Sequence, residues 1–194
     1  KAEIVGTDQK TDLALLKIET DKDLPFVSFK ETDDLRVGDW VVAVGNPFGL
    51  GGTVTSGIVS ARGRDIGAGP YDDFIQIDAS INQGNSGGPT FDLAGNVVGV
   101  NTAIFSPTGG NVGIGFAIPA AVASDVIADL RESGRVERGW LGVAIQPVGP
   151  AIAESLGLAE DEGALIAQVM TGSPAEAGGL EPGDVIYSID GNVM

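Results

Sequence analysis

The sequence predicts an all-β barrel or sandwich, then one amphipathic helix, then a second strand-rich unit. Three observations carry this. Short runs rich in Val and Ile recur at spacings of roughly ten to twenty residues, and glycine- and proline-containing turns separate them. The apolar period then changes once, at Pro119. At 194 residues the chain has room for one or two domains, each with a buried core.

The first apolar runs are LALLKI at 13–18 and WVVAV at 40–44, followed by TVTSGIVSA at 53–61 and FIQIDASI at 74–81. NVVGVNTAI at 96–104 and VGIGFAI at 112–118 complete the set. The punctuating stretches GNP, GLGG, GAGP and PTGG suit tight turns between strands, so the pattern favours a barrel or sandwich over βαβ units. In PAAVASDVIADLRESG, Val122, Val126 and Leu130 recur every fourth residue, and Ala123 and Ile127 widen the stripe. Pro119 suits the first helical turn, Gly134 a C-terminal stop, and Arg131 the negative end of the helix dipole. SGRVERG is a short charged joint, and strands resume from Trp140.

A net charge of −16 repels phosphate backbones and anionic lipid heads, which argues against nucleic-acid and membrane-surface partners. The acidic runs ETDD at 31–34 and AEDE at 159–162 read as solvated loop faces, and no metal or other cofactor is expected. Without cysteine there are no disulfides and no thiolate chemistry. The chain opens on KAEIVGTD without a signal-peptide pattern and stops at SIDGNVM in mid-pattern, so both ends are expected to be cuts in a longer polypeptide.

QGNSGGP at 83–89 places three glycines and a proline around one serine. A serine nucleophile needs a stiff exposed turn, a base for its proton, and donors for the oxyanion. Glycines supply the first and the last, because Gly84 can turn its N–H the same way as that of Ser86, while Gly87 and Gly88 admit a substrate backbone. Read alone, the stretch is equally a glycine-rich hairpin loop. GNSGGP resembles the nucleophile turn of trypsin-like serine proteases, and with FIQIDASINQ before it and VVGVNTAI…GFAIP after it resembles the HtrA/Deg family of stress proteases.

That resemblance implies Ser86 as nucleophile, the Gly84–Asn85–Ser86 corner as oxyanion hole, and Asp12 of KTDLALLKI as the triad acid. It also implies a trypsin-like double β-barrel, with residues 1–36 a remnant of a largely missing first barrel and 37–118 the second. Residues 119–138 would be the linking helix and joint. The triad histidine would precede Asp12, but the chain has no histidine at all, so 1–194 by itself is expected not to cleave peptides. By the same resemblance Ser80 and Ile81 sit at the primary specificity pocket, with NVGIG at 111–115 as the opposite wall and Ile114 as its contact, favouring small aliphatic side chains. Ile81 fits a barrel core equally well. The loop RGRDIGAGPYDD at 62–73 is similar to the family's sensor loop, with Arg64 its candidate contact; read alone it is a surface loop.

From Trp140 the chain reads GWLGVAIQPV and later GSPAEAGGL, GDVI and IDG, which resembles a PDZ domain over 139–194 that stops short of its final helix. Trp140, Leu141, Gly142 and Val143 would form the clasp for a peptide's C-terminal carboxylate. The resemblance therefore implies an ATP-independent serine endopeptidase acting on unfolded or misfolded proteins and C-terminal peptides. It would be a homo-trimer or larger assembly, in the bacterial periplasm or cell envelope or an organelle of bacterial origin. The alternative is a pseudoprotease acting as a chaperone or peptide-binding scaffold.

Overall fold

The structure, a computed structural model, describes residues 1–30, 34–107, 109–158 and 163–193. The acidic run 159–162, and all of the run at 31–34 except Asp34, lie outside the described residues. The chain forms two compact units, Lys1–Glu137 and Arg138–Met194.

The first unit opens with an antiparallel hairpin of β1 (Ala2–Asp8) and β2 (Leu13–Ile18), closed by the pair Asp8 and Leu13. An extended segment then reaches β7, where Phe29 bridges Val97 and the amides of Lys30 and Val97 donate to the carbonyls of Val97 and Ser28. The barrel itself consists of β3 (Trp40–Gly45), β4 (Thr53–Arg64), β5 (Phe74–Ile77), β6 (Pro89–Phe91), β7 (Val97–Ile104) and β8 (Gly115–Pro119). Its closed order is β3-β4-β5-β8-β7-β6, which leaves no strand edge unpaired around the ring.

Alternation along β3 sends Val41 and Ala43 inward to meet Val59, Ile75, Ile77, Ile81 and Val98. Strand β7 buries Val97, Val98 and Gly99 in succession, because α1 (Ala120–Ser133) covers the face turned away from the barrel interior. Residues 78–81 leave the ladder sooner than the apolar run suggests. The Asp78 carboxylate accepts the N–H of Ile58 at 2.6 Å, and β5 ends at Ile77. Conversely, β4 runs through Arg64, so the glycine-rich connection begins at Asp65 and not at Arg62.

Pro119 is the last residue of β8 and caps α1 from outside its first turn, while Gly134 closes the helix at φ 74°, its N–H donating to Leu130. The stripe buries Ala120, Ala123, Val126 and Leu130 against β1, β2, β7 and β8. β1 crosses the helix end so closely that a Cβ on Gly6 would lie 2.5 Å from the carbonyl oxygen of Gly134. The helix thereby fixes the hairpin, and with it the 9–12 turn, beside β7.

The second unit has a three-stranded sheet in the order β11-β10-β9, formed by β9 (Val143–Pro147), β10 (Ala164–Val169) and β11 (Val185–Ile186). Two short helices, α2 (Pro150–Leu156) and α3 (Pro174–Ala177), each begin on proline. Val148, Ala153, Ala164, Ile166 and Ala175 form its interior. Asp190 and Gly191, both at positive φ, turn β12 (Ser188–Ile189) into β13 (Asn192–Val193), the hairpin expected of an Asp-Gly pair.

Ile4, Leu16, Ile18, Leu24 and Phe26 are all more than half exposed on and after the hairpin, Phe26 at 89%. Clustered apolar surface of this kind drives association. The 194-residue chain is expected to self-associate in sedimentation velocity at tens of micromolar, on the order of the range where such patches act. The double substitution Leu16→Glu, Phe26→Ser is expected to shift it to monomer. A monomeric parent chain at that concentration would contradict this reading of the hairpin.

Candidate active site

The turn carrying Ser86 is shaped by three peptide planes. The carbonyl of Gln83 accepts from the N–H of Phe48 at 2.8 Å, and that of Gly84 from Asn46 at 3.2 Å. In a trans peptide the N–H points opposite to the carbonyl, so the N–H of Gly84 faces away from the 46–48 turn. The carbonyl of Asn85 accepts from Gly88, which turns the N–H of Ser86 outward in the same manner. The N–H of Asn85 is engaged with the carbonyl of Asn82 at 3.0 Å. Two amides of the expected three, Gly84 and Ser86, therefore remain free to meet an incoming oxyanion. Gly84 sits at φ 102°, and a Cβ there would meet the carbonyl oxygen of Asn46 at 2.4 Å, so only glycine fits.

Strand β7 holds this turn. Gly87 donates to the carbonyl of Asn101 and Asn101 to that of Gly88, each at 2.8 Å. The Asn101 side chain, 1% exposed, donates to the carbonyl of Val44 and accepts the hydroxyl of Thr90. The exposed Ser86 hydroxyl donates to the carbonyl of Thr102 at 2.8 Å, and the Thr102 hydroxyl donates to Asp12 Oδ2 at 3.2 Å. One residue of β7 therefore contacts both Ser86 and Asp12. Asp12 lies at φ 58° in the 9–12 turn, a conformation Asp tolerates, and beside it Thr11 donates to the buried carboxylate of Asp8. A cavity of about 500 Å³ opens between the two turns, with Asp12, Leu13, Phe29, Ser86 and Thr102 on its walls.

Asn85, next to Ser86, is 1% exposed, and neither atom of its side-chain amide has a partner among the described residues. Such an orphaned group costs about 1–3 kcal/mol, and strain of this kind gathers at functional sites.

A second cleft, about 320 Å³, lies on the other side of Ser86, between Ile81, Asn82 and Gln83 on one wall and Thr102, Ala103 and Ile104 on the other. Ile81 is a core residue at 1% exposure and also stands on the wall of this cleft. Ser80 and Ile114 do not line the cleft. Ser80 is exposed and its carbonyl accepts from Thr55, while Ile114 packs against Phe74, Phe116 and Ile118. Arg64 is exposed at the end of β4, its Nε donating to Gln76. The 65–73 connection is folded around Asp72, whose carboxylate accepts the N–H groups of Ile66 and Ala68. Desolvation, the largest single influence, raises the Asp72 carboxyl, but its several hydrogen bonds together outweigh this and hold it below the usual carboxylate range.

In the second unit Trp140 and Leu141 are exposed immediately before β9, and β9 is the open edge of its sheet. The carbonyls of Leu141 and Gly142 accept from Ala175 and Met170, which turns the N–H groups of Gly142 and Val143 the opposite way.

Sequence reasoning missed Asn101, Thr102 and Asn82. A signal for the first two was present, since a polar pair interrupts a run, VVGVNTAI, that is otherwise apolar on both faces.

The model of the trypsin-like peptidase domain matches residues 1–100, and that of the PDZ domain residues 129–194. A probable periplasmic serine endoprotease, DegP-like, of Rhizobium meliloti (strain 1021) is 63% identical over 190 residues, 98% of this chain and 38% of that protein. The protein of the same description from Hahella chejuensis (strain KCTC 2396) is 54% identical over 191 residues, 98% of this chain and 40% of its own. The chain thus spans about two fifths of the length of these relatives. Among solved structures, the HtrA-type protease AlgW with a tripeptide superposes at TM-score 0.88 with 53% identity, over 99% of this chain and 64% of that one. A serine endoprotease from Yersinia pestis does so at 0.68 with 39% identity, over 99% and 61%.

Two outcomes follow from this geometry. Gly87, at φ 83°, has open space where a Cβ would stand, whereas Gly84 has none. Gly87→Ala should cost only the backbone term, about 1 kcal/mol in urea unfolding, and Gly84→Ala clearly more; equal costs would contradict the packing at Gly84. For the loop, the folded pKa of Asp72 lies below the unfolded one. Protection of the Ile66 and Ala68 amides from hydrogen exchange should therefore be full above the ordinary value of 3.8 and be lost as pH falls through the depressed one.

Proposed function

Because the chain belongs to the trypsin-like peptidases, in their HtrA/Deg family, with a PDZ domain at its C-terminal side, we propose that the complete protein is a periplasmic serine endopeptidase degrading unfolded or misfolded proteins. The observation that carries this is the shared attachment of Ser86 and Asp12 to Thr102 on either side of one open cavity.

In the proposed reaction Ser86 Oγ attacks the scissile carbonyl carbon while its proton passes to a histidine seated in that cavity. Asp12 orients the imidazole and balances its positive charge. The carbonyl oxygen, now an oxyanion, accepts from the amides of Gly84 and Ser86. The histidine then protonates the leaving amine; in the second half it takes a proton from water, whose oxygen attacks the acyl carbon, and gives that proton to Ser86 Oγ as the carboxylic acid leaves. Residues 1–194 hold no histidine, so the base belongs to another part of the complete protein, and these residues alone do not turn over substrate. The second cleft takes the side chain before the scissile bond. With Ala103 and Ile104 on its wall and no carboxylate among its described lining, it suits small aliphatic groups. A peptide C-terminus adds as a strand to the open edge of β9, its carboxylate at the Gly142 and Val143 amides.

A fluorophosphonate probe is expected to label the complete protein on Ser86 and to fail on Ser86→Ala. Absence of labelling in the parent protein would leave only a peptide-binding scaffold. Peptides with Val before the scissile bond should be cleaved at least about tenfold faster in kcat/KM than those with Arg, and a preference for Arg would contradict the cleft assignment.

A further inference from the structure

Asn111 lies outside the lining of the second cleft and touches neither Ser86 nor Asp12, yet three hydrogen bonds converge on it. Its Nδ2 donates to the carbonyl of Ile81 at 3.0 Å, its backbone N–H donates to Asn82 Oδ1 at 3.1 Å, and its Oδ1 accepts the N–H of Gly113 at 2.8 Å. The first two join the two walls of the cleft. Residues 81–83 form the wall that leads into the nucleophile turn, and residues 102–106 and 109 form the wall that follows it. No strand pairing links them at this point, because β5 has ended at Ile77 and β8 begins only at Gly115. The far wall closes on itself just above, where Phe105 donates to Ile114 and the Ser106 hydroxyl to Gly110.

The near wall is not an independent element. Asn82, held by Asn111, offers its carbonyl to the N–H of Asn85, one residue before the nucleophile, and Gln83 offers its own to Phe48. The side chain of Ile81 has no slack, since a Cβ on Gly115 would already stand 2.9 Å from it. The width of the cleft is thus set by the distance across the Asn111 clasp, while the turn itself retains separate anchors on β7.

Resting on the peptidase reading, we propose that Asn111 is a positioning residue that sets the width of the primary specificity cleft. It acts by bonding residues 81–82 to the loop that forms the opposite wall. It selects among side chains before the scissile bond and does not take part in bond cleavage. Removing the donor of this part-buried bond leaves the carbonyl of Ile81 without it and lets the walls part.

The test uses the complete protein with two substitutions. Asn111→Ala removes the side-chain clasp, and Asn111→Asp keeps the acceptor for Gly113 while replacing the donor to Ile81 with a charged oxygen that the Ile81 carbonyl repels. For each, kcat/KM is measured on peptides with Val or Phe before the scissile bond, alongside the rate of fluorophosphonate labelling at Ser86. The expected result is a fall in the Val-to-Phe ratio of about five- to fiftyfold, mostly through KM for Val, with labelling within about twofold of the parent rate. If Asn111→Ala does not fold, Asn111→Asp decides alone. A parental Val-to-Phe ratio in folded variants overturns the inference, as does a loss of labelling that matches the loss of cleavage. Failure of the parent protein to be labelled would instead overturn the peptidase reading on which it rests.

Discussion

Two backbone hydrogen bonds between Asn101 and the glycines that follow Ser86, and two side-chain bonds from Ser86 and to Asp12 at Thr102, bind the candidate site to β7. Everything else in the first unit is arranged to keep that strand fixed. The barrel closes on both of its edges through β6 and β8, and α1 covers its outer face. The helix in turn grips the β1–β2 hairpin at Gly6, so the Asp12 turn is held by a body already committed to β7. Ser86 and Asp12 are 74 residues apart in the chain and share one hydroxyl-bearing neighbour.

Polar groups are buried where the structure must be specific. Thr90 donates a hydrogen bond to the buried Asn101 side chain, which itself donates to the carbonyl of Val44, so β7 is tied to β3 by a side chain although the two strands do not pair. Networks of this sort are worth having only when complete. Asn85 is the exception among the described residues, since its backbone is satisfied by Asn82 and its side chain by nothing. A cost of that kind one residue from Ser86 marks a turn not shaped for stability alone.

Much of this was legible in the sequence because its punctuation is local. The glycines at 84, 87 and 88, the helix between Pro119 and Gly134, and the Asp190–Gly191 turn each announce a backbone conformation that only a few residues allow. The candidate nucleophile and acid were legible through motif resemblance. The cleft walls were less so. Ser80 and Ile114 were expected to line it, but the departure of residues 78–81 from the β5 ladder turns Ser80 outward, and Ile114 joins the Phe74–Phe116 cluster. One wall of the second cleft, Thr102 to Ile104, comes from β7, and contacts made across the barrel leave no spacing signal in the chain. Asn111 lay in the expected wall segment 111–115, but its bonds to residues 81 and 82 were not legible, those partners being some thirty residues away.

The account stands on the rigidity of the junction between the nucleophile turn and β7, and hydrogen exchange resolved by residue tests this most directly. The amides of Gly87 and Asn101 are predicted to exchange as slowly as those of β7 deep in the barrel, such as Val98 and Val100, since each donates across the junction. Exchange of Gly87 and Asn101 at the rate of the free turns, with β7 otherwise protected, would mean that the serine turn is not anchored to the strand that reaches Asp12, and the geometry argued here would not hold in solution.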